Sequence, residues 1–141
     1  MNYMSAEPSL PIYHLTAAGY YHSQPPDQPY LSPTFSEEGF IHCTAGAEML
    51  IEIANIFFAT LQDELLALEI DPAQLTVPLL YEPPIPPLHA DASAAQVGSR
   101  NLNTLFPHIY GPLDRQAIVT CFALQRDQDG LWQLPKTTAD C

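Results

Sequence analysis

Basic residues are scarce in this chain. Arg100, Arg115, Arg126 and Lys136 stand against 16 acidic residues, giving a formal net charge of −12 over 141 residues. Nucleic-acid binding neutralises phosphates with clustered lysine and arginine, and that footprint is missing. An anionic membrane surface repels such a chain for the same reason, so neither nucleic acid nor membrane is expected as a partner. Long apolar runs are missing too: the longest candidate, residues 49–61, is broken by Glu52 and Asn55 and falls short of a bilayer span. The stretch MNYMSAEPSLP carries neither a basic region nor an apolar core, which argues against a secretory signal. Cys43, Cys121 and Cys141 form an odd set without CxxC spacing. That pattern fits a reducing cytoplasm better than a disulfide framework, with Cys121 read as core and Cys141 as exposed. No HxH or HxxxH pair occurs, so a local metal site is not expected; zinc or iron would have to draw ligands from separate strands.

What is present is enough for one globular domain: 47% hydrophobic and 10% aromatic residues in a chain long enough for a single sizeable core. The expected layout is a leader over residues 1–10, one domain over 11–135 and a tail over 136–141. Strands are expected over Pro11–Leu15, Phe40–Cys43, Leu65–Ile70, Leu79–Glu82, Pro107–Gly111 and Ala117–Leu124. Leu131–Leu134 is expected to pair with the last of these across a turn near Asp129-Gly130. Thr16 reads as the cap of a short helix through Tyr20 to His22. Thr44 reads as the cap of the main helix, Ala45–Gln62, whose Met49, Leu50, Ile53, Ile56, Phe57 and Leu61 recur on one face. The segment SQPPDQPYLSPTFSEEG, with four of the 15 prolines, reads as an irregular loop, and residues 83–105 as a proline-rich link and insertion. One main helix and then mostly strands indicates an α+β fold. Nothing in the pattern fixes an oligomeric state.

Three of the five histidines close apolar, strand-like segments: His14 in IYHLT, His42 in GFIHCT and His108 in FPHIYGPL. A single histidine is more often structural than catalytic, by about two to one. Three in matched settings favour a shared cleft where imidazole transfers protons near neutral pH. His22 and His89, in polar or proline-rich loops, read as surface residues. Glu82, at the end of LLYE, is the preferred carboxylate partner, and Tyr110 and Thr44 are expected at the wall of the cleft. Glu69 alternates away from Leu68 and Ile70. Cys43 adjoins His42 and so points to the opposite face, which excludes a thiol–imidazole pair between them. The start of the main helix, Thr44 to Gly46, offers amides that suit a phosphate.

IYHLT, SEEGFIHCT, the apolar helix ending IANIFFA, LEIDPAQL, YEP and FPHIYGPL follow one another in this order. Together they resemble a bacterial family known as domain of unknown function 952, over roughly residues 12–122. The resemblance implies an ADP-ribosyltransferase-like fold, a split and mostly antiparallel β core with a packed helix. It implies NAD, ADP-ribose or a similar nucleotide as ligand, with NAD in the role of a substrate, and it fixes no cofactor. By position, His14 with Thr16 would hold the ribose or phosphate, and His42 with Thr44 would flank the nicotinamide. The third role, usually a carboxylate's, falls to His108 and Tyr110, or to Glu82 if its strand lines the same cleft. A nucleotide-binding module without turnover and a metal-dependent hydrolase are the alternatives.

Overall fold

The computed structural model describes residues 10–84, 105–137 and 141. Nine strands form three antiparallel sheets among the described residues. Strands β1 (Ile12–Ala17), β3 (Thr44–Ala45), β4 (Leu65–Ile70) and β7 (Ile118–Ala123) make a four-stranded sheet in the order β3-β1-β4-β7. Strands β2 (Ile41–His42), β5 (Leu79–Glu82) and β6 (Phe106–Ile109) make a second, in the order β2-β6-β5. Strands β8 (Gln125–Arg126) and β9 (Trp132–Gln133) form a hairpin. The helices are α1 (Ala18–Ser23), α2 (Phe35–Glu38) and α3 (Ala47–Phe57), with 3-10 turns at Pro72–Gln74 and Arg115–Ala117. The α+β class with antiparallel sheets is therefore observed.

The four-stranded sheet is buried on both faces, and its alternation sorts the core into two clusters. On one face Tyr13, Leu15, Leu65, Ala67 and Phe122 pack with Leu50 and Ala54 of α3 and with Trp132. On the other, Ile12, Leu68 and Ile70 pack with Ile41, Cys43 and Ile109 from the three-stranded sheet and with Tyr30 and Leu113. Double burial is why LLAL in β4 is continuously apolar rather than alternating. The layers are thus α3, the four-stranded sheet and the three-stranded sheet. On the outer face of the smaller sheet Phe40, Phe106 and His108 are buried, while Leu80 is exposed and Glu82 half-buried along the β5 edge.

Several boundaries differ from the sequence reading for physical reasons. Thr16 lies inside β1 rather than capping a helix, because the strand runs on to Ala17 against β4. Thr44 does not cap α3 either. Thr44 and Ala45 pair with Tyr13 and Ile12, and Gly46, at φ 90°, turns the chain into the helix as its cap residue. The Gly46 amide donates to Pro11 O at 2.8 Å, so it is not free for an anion. The proline-rich loop contains α2, stopped by Gly39 in the left-handed conformation. Residues 131–134 contribute β9, which pairs with β8 rather than with β7, and Asn55 fixes this hairpin to α3 through both main-chain groups of Trp132. Cys121 is joined to Cys141 by a disulfide, so two of the cysteines are paired where free thiols are expected from the spacing, and Cys43 alone is free and buried. The chain segment over 85–104, with His89 and Arg100, lies outside the described residues.

Leu68 is fully buried in the layer between the two sheets. Leu68→Ala should lower the unfolding free energy by about 3 kcal/mol, measured by urea denaturation at neutral pH. A loss below about 1 kcal/mol would mean that the sheets are not packed as described.

Candidate functional site

The candidate side chains converge through strand register. Ile41 pairs with Ile109 and His42 with His108. The Cys43 amide donates to Pro107 O at 3.0 Å, which puts 41/109 and 43/107 at hydrogen-bonded positions. The 42/108 pair is then the non-hydrogen-bonded kind, whose side chains stand closest together. The two imidazoles are edge-on with centroids 5.6 Å apart. Their neighbours in sequence, Ile41, Cys43 and Ile109, point inward to the core, so His42 and His108 belong to the outer face. Glu82 joins them from β5, which pairs with β6 on the other side.

Each histidine has its own carboxylate. Glu38, from the last residue of α2, meets His42 Nε2 at 2.9 Å and also accepts from the Thr34 hydroxyl. Glu82 Oε1 meets His108 Nδ1 at 2.7 Å and accepts from the Tyr110 hydroxyl at 2.6 Å. Phe40 fills the space between, its ring centroid 4.7 Å from His42, 4.6 Å from His108 and 5.3 Å from Tyr110. His108 is buried, while the side chains of His42 and Glu82 keep 23% and 29% exposure, so solvent reaches the pair from their side. Burial pulls His42 below the ordinary imidazole range, and Glu38 partly opposes this. Hydrogen bonds from Tyr110 and then His108 hold the Glu82 carboxyl below its usual range. The bond to Glu82 raises Tyr110 in turn. The result is an ionised Glu82 carboxylate and, in His42, a neutral imidazole oriented by Glu38 at neutral pH, the arrangement of a general base.

His14 does not share this face. It projects from β1 into the core between the sheets, 5% exposed, with both nitrogens engaged. Its Nδ1 lies 2.7 Å from His42 O and its Nε2 2.9 Å from the Tyr30 hydroxyl, which also contacts Thr16 Oγ1 at 3.0 Å. A carbonyl only accepts, so Nδ1 carries the proton and neutral Nε2 accepts from Tyr30. Burial drives His14 down to about 4, against the opposing pull of its bond to the His42 main chain. Thr16 is consumed in the same buried network. Thr44 pairs with Tyr13 and therefore shares the α3 face of the sheet, opposite to His14. Its hydroxyl is buried without a partner among the described residues. His22 is exposed, its ring edge-on to Tyr21. The described residues hold no group of three His, Cys, Asp or Glu side chains arranged for a metal ion.

Sequence reasoning misses Glu38, Phe40 and Tyr30. Glu38 and Phe40 sit in SEEGFIH, where the carboxylate precedes His42 by four residues, and only the left-handed turn at Gly39 folds the one back onto the other. Tyr30 gives no such signal; it reaches His14 through an isolated bridge to Leu113.

Because His14 is held neutral in the fold, its contribution to stability is complete above about pH 6.5 and is lost as pH falls toward 4, where the unfolded chain binds the proton first. Denaturation at pH 7 and pH 4 should show the wild type losing about 3 kcal/mol more than His14→Asn, which cannot titrate there. Equal losses in the two proteins would show that His14 is charged within the fold.

The architecture is similar to that of Protein CC0527 from Caulobacter crescentus. Its crystal structure superposes with a TM-score of 0.66 at 22% identity, covering 88% of this chain and 94% of that one. A double mutant of the same protein gives 0.65 at the same identity and coverage. Likeness at this identity establishes the shared fold alone. No curated protein matches the chain. The family model described as "Protein of unknown function (DUF952)" matches residues 14–121, from the first histidine of the core to the cysteine of β7. The chain belongs to that family.

Proposed function

We propose that the outer face carrying His42, His108 and Glu82 is an active site that binds NAD, ADP-ribose or a closely related nucleotide and performs ADP-ribosyl-transfer-like chemistry. The observation that carries this reading is the pairing of two carboxylate-bound histidines on neighbouring strands, with their rings 5.6 Å apart. Cleavage of a nicotinamide–ribose bond passes through an oxocarbenium-like state, which a nearby carboxylate anion stabilises. Glu82 suits that role, being ionised, partly exposed and oriented by two donors that both fall on Oε1. His42, backed by Glu38, takes the proton of the attacking hydroxyl, since its lowered pKa keeps it unprotonated at neutral pH. Phe40, itself buried, packs against both imidazoles and holds their rings in place.

A second reading, a nucleotide-binding module without turnover, draws on the cations. Arg115 is committed to Gln28 O, Pro25 O and the Tyr21 hydroxyl, and Arg126 to Gly130 O and Leu61 O over the Trp132 ring. Neither guanidinium is available to clamp a pyrophosphate, and Arg100 lies outside the described residues. On this reading a nucleotide binds but nicotinamide is not released.

The two readings separate in one set of measurements. Calorimetry against NAD, ADP-ribose, AMP and nicotinamide should show binding of at least one nucleotide, and incubation with NAD should release nicotinamide. His42→Ala and Glu82→Gln should each cut release by about 100-fold or more. Binding without release favours the module. No binding by any member of the panel to folded protein sinks both readings.

A further inference from the structure

We infer that His14 is a positioning residue, which fixes the backbone of β2 and through it the imidazole of His42. This rests on the active-site reading of His42 only for its functional meaning; the geometry stands without it. Strand β2 has two residues and a single partner, β6, at the edge of its sheet. Register puts 42/108 at a non-hydrogen-bonded position, so the main-chain N–H and C=O of His42 point away from β6, toward an edge with no further strand among the described residues. A two-residue edge strand with that carbonyl unpartnered would be poorly fixed, and every tilt of its backbone would swing the His42 ring. His14 Nδ1 supplies the missing donor at 2.7 Å from a strand of the other sheet. The donor is itself fixed: its ring is buried, and Tyr30 holds Nε2 at 2.9 Å while its own ring, fully buried, packs against Tyr20 and Tyr21. The bond therefore acts as a strut between the sheets, with its far end one residue's width from the His42–Glu38 pair. Buried, with both nitrogens occupied by protein, His14 has no atom left for a ligand.

The charged and titratable groups that face His42 are Glu38 from α2, His108 with its partner Glu82 from β6 and β5, and His14 itself from β1, whose charge is lost alike in both of its variants. Burial is the main influence on His42, so loosening β2 should let the ring rise toward solvent and carry its titration midpoint upward. The test is the midpoint of His42, followed by NMR of its ring proton without ligand, in three variants. The amide nitrogen of asparagine at position 14 falls near Nδ1 and keeps the donor to His42 O, whereas that of glutamine falls near Nε2 and loses it. His14→Gln should raise the midpoint by about half a pH unit or more, and His14→Asn should stay within about 0.2 of wild type. Tyr30→Phe, which keeps the packed ring and frees Nε2, should move the midpoint in the same direction by less, and it carries the test if the glutamine variant does not fold. An unmoved midpoint in folded Gln or Phe variants, or an Asn variant displaced as far as Gln, overturns the inference. A midpoint that moves as stated in a protein that binds no nucleotide overturns the active-site reading while leaving the strut in place.

Discussion

A sheet whose two faces are both covered has no working surface of its own, and that constraint organises this molecule. The four-stranded sheet buries Tyr13, Leu15 and Ala67 under α3 and Leu68 and Ile70 under the smaller sheet. The cluster of His42, His108, Glu38 and Glu82 therefore lies one layer further out, on the far side of β2, β6 and β5. The smaller sheet has two residues in one strand and four in each of the others, so it depends on the larger one for rigidity. Apolar contact through Ile41, Cys43 and Ile109 supplies most of that support. The His14 hydrogen bond supplies direction, which apolar contact does not.

The same layering explains why the cluster is electrostatically mixed. His108 lies against the sheet beneath Phe40, where solvent is scarce, and Glu82 reaches it from the partly exposed edge. His42 is paired with a carboxylate that is itself only 5% exposed at its side chain. Two imidazole–carboxylate pairs of unlike burial thus meet across one apolar ring, Phe40. Fold alone does not supply the reaction, and the family description supplies none.

Much of the architecture is legible in the residues. Strands Leu65–Ile70 and Leu79–Glu82 fall where the apolar pattern and the flanking Asp71-Pro72 and Pro83-Pro84 put them. The pattern misplaces the helix start because Thr44 resembles a cap by composition, while the edge of β1 claims it as a strand residue. His42, His108, Glu82 and Tyr110 are legible as candidates, since each ends or follows a strand. That His14 belongs on the other side of β2 is not legible. Alternation gives the face of a strand but not the layer that the face looks into. Glu38 escapes because its link to His42 runs through a left-handed glycine, which no periodic pattern registers. The Cys121–Cys141 bond escapes because pairing among three cysteines is not encoded in their spacing.

Pro107 sits in the central strand of the smaller sheet, a place where proline ordinarily forfeits a ladder bond. Here its missing N–H faces the β2 side, at Cys43, where β2 has already ended, and its carbonyl still accepts from Cys43. If β6 slid by one residue, the donorless nitrogen would turn toward β5, where the ladder runs over four residues, His108 would be driven inward against Ile41 and Cys43, and Ile109 would be turned out of the core. The proline therefore acts as an assembly key: it is harmless in the correct alignment and penalises the slipped one, so a misaligned folding intermediate is disfavoured before the histidines ever meet.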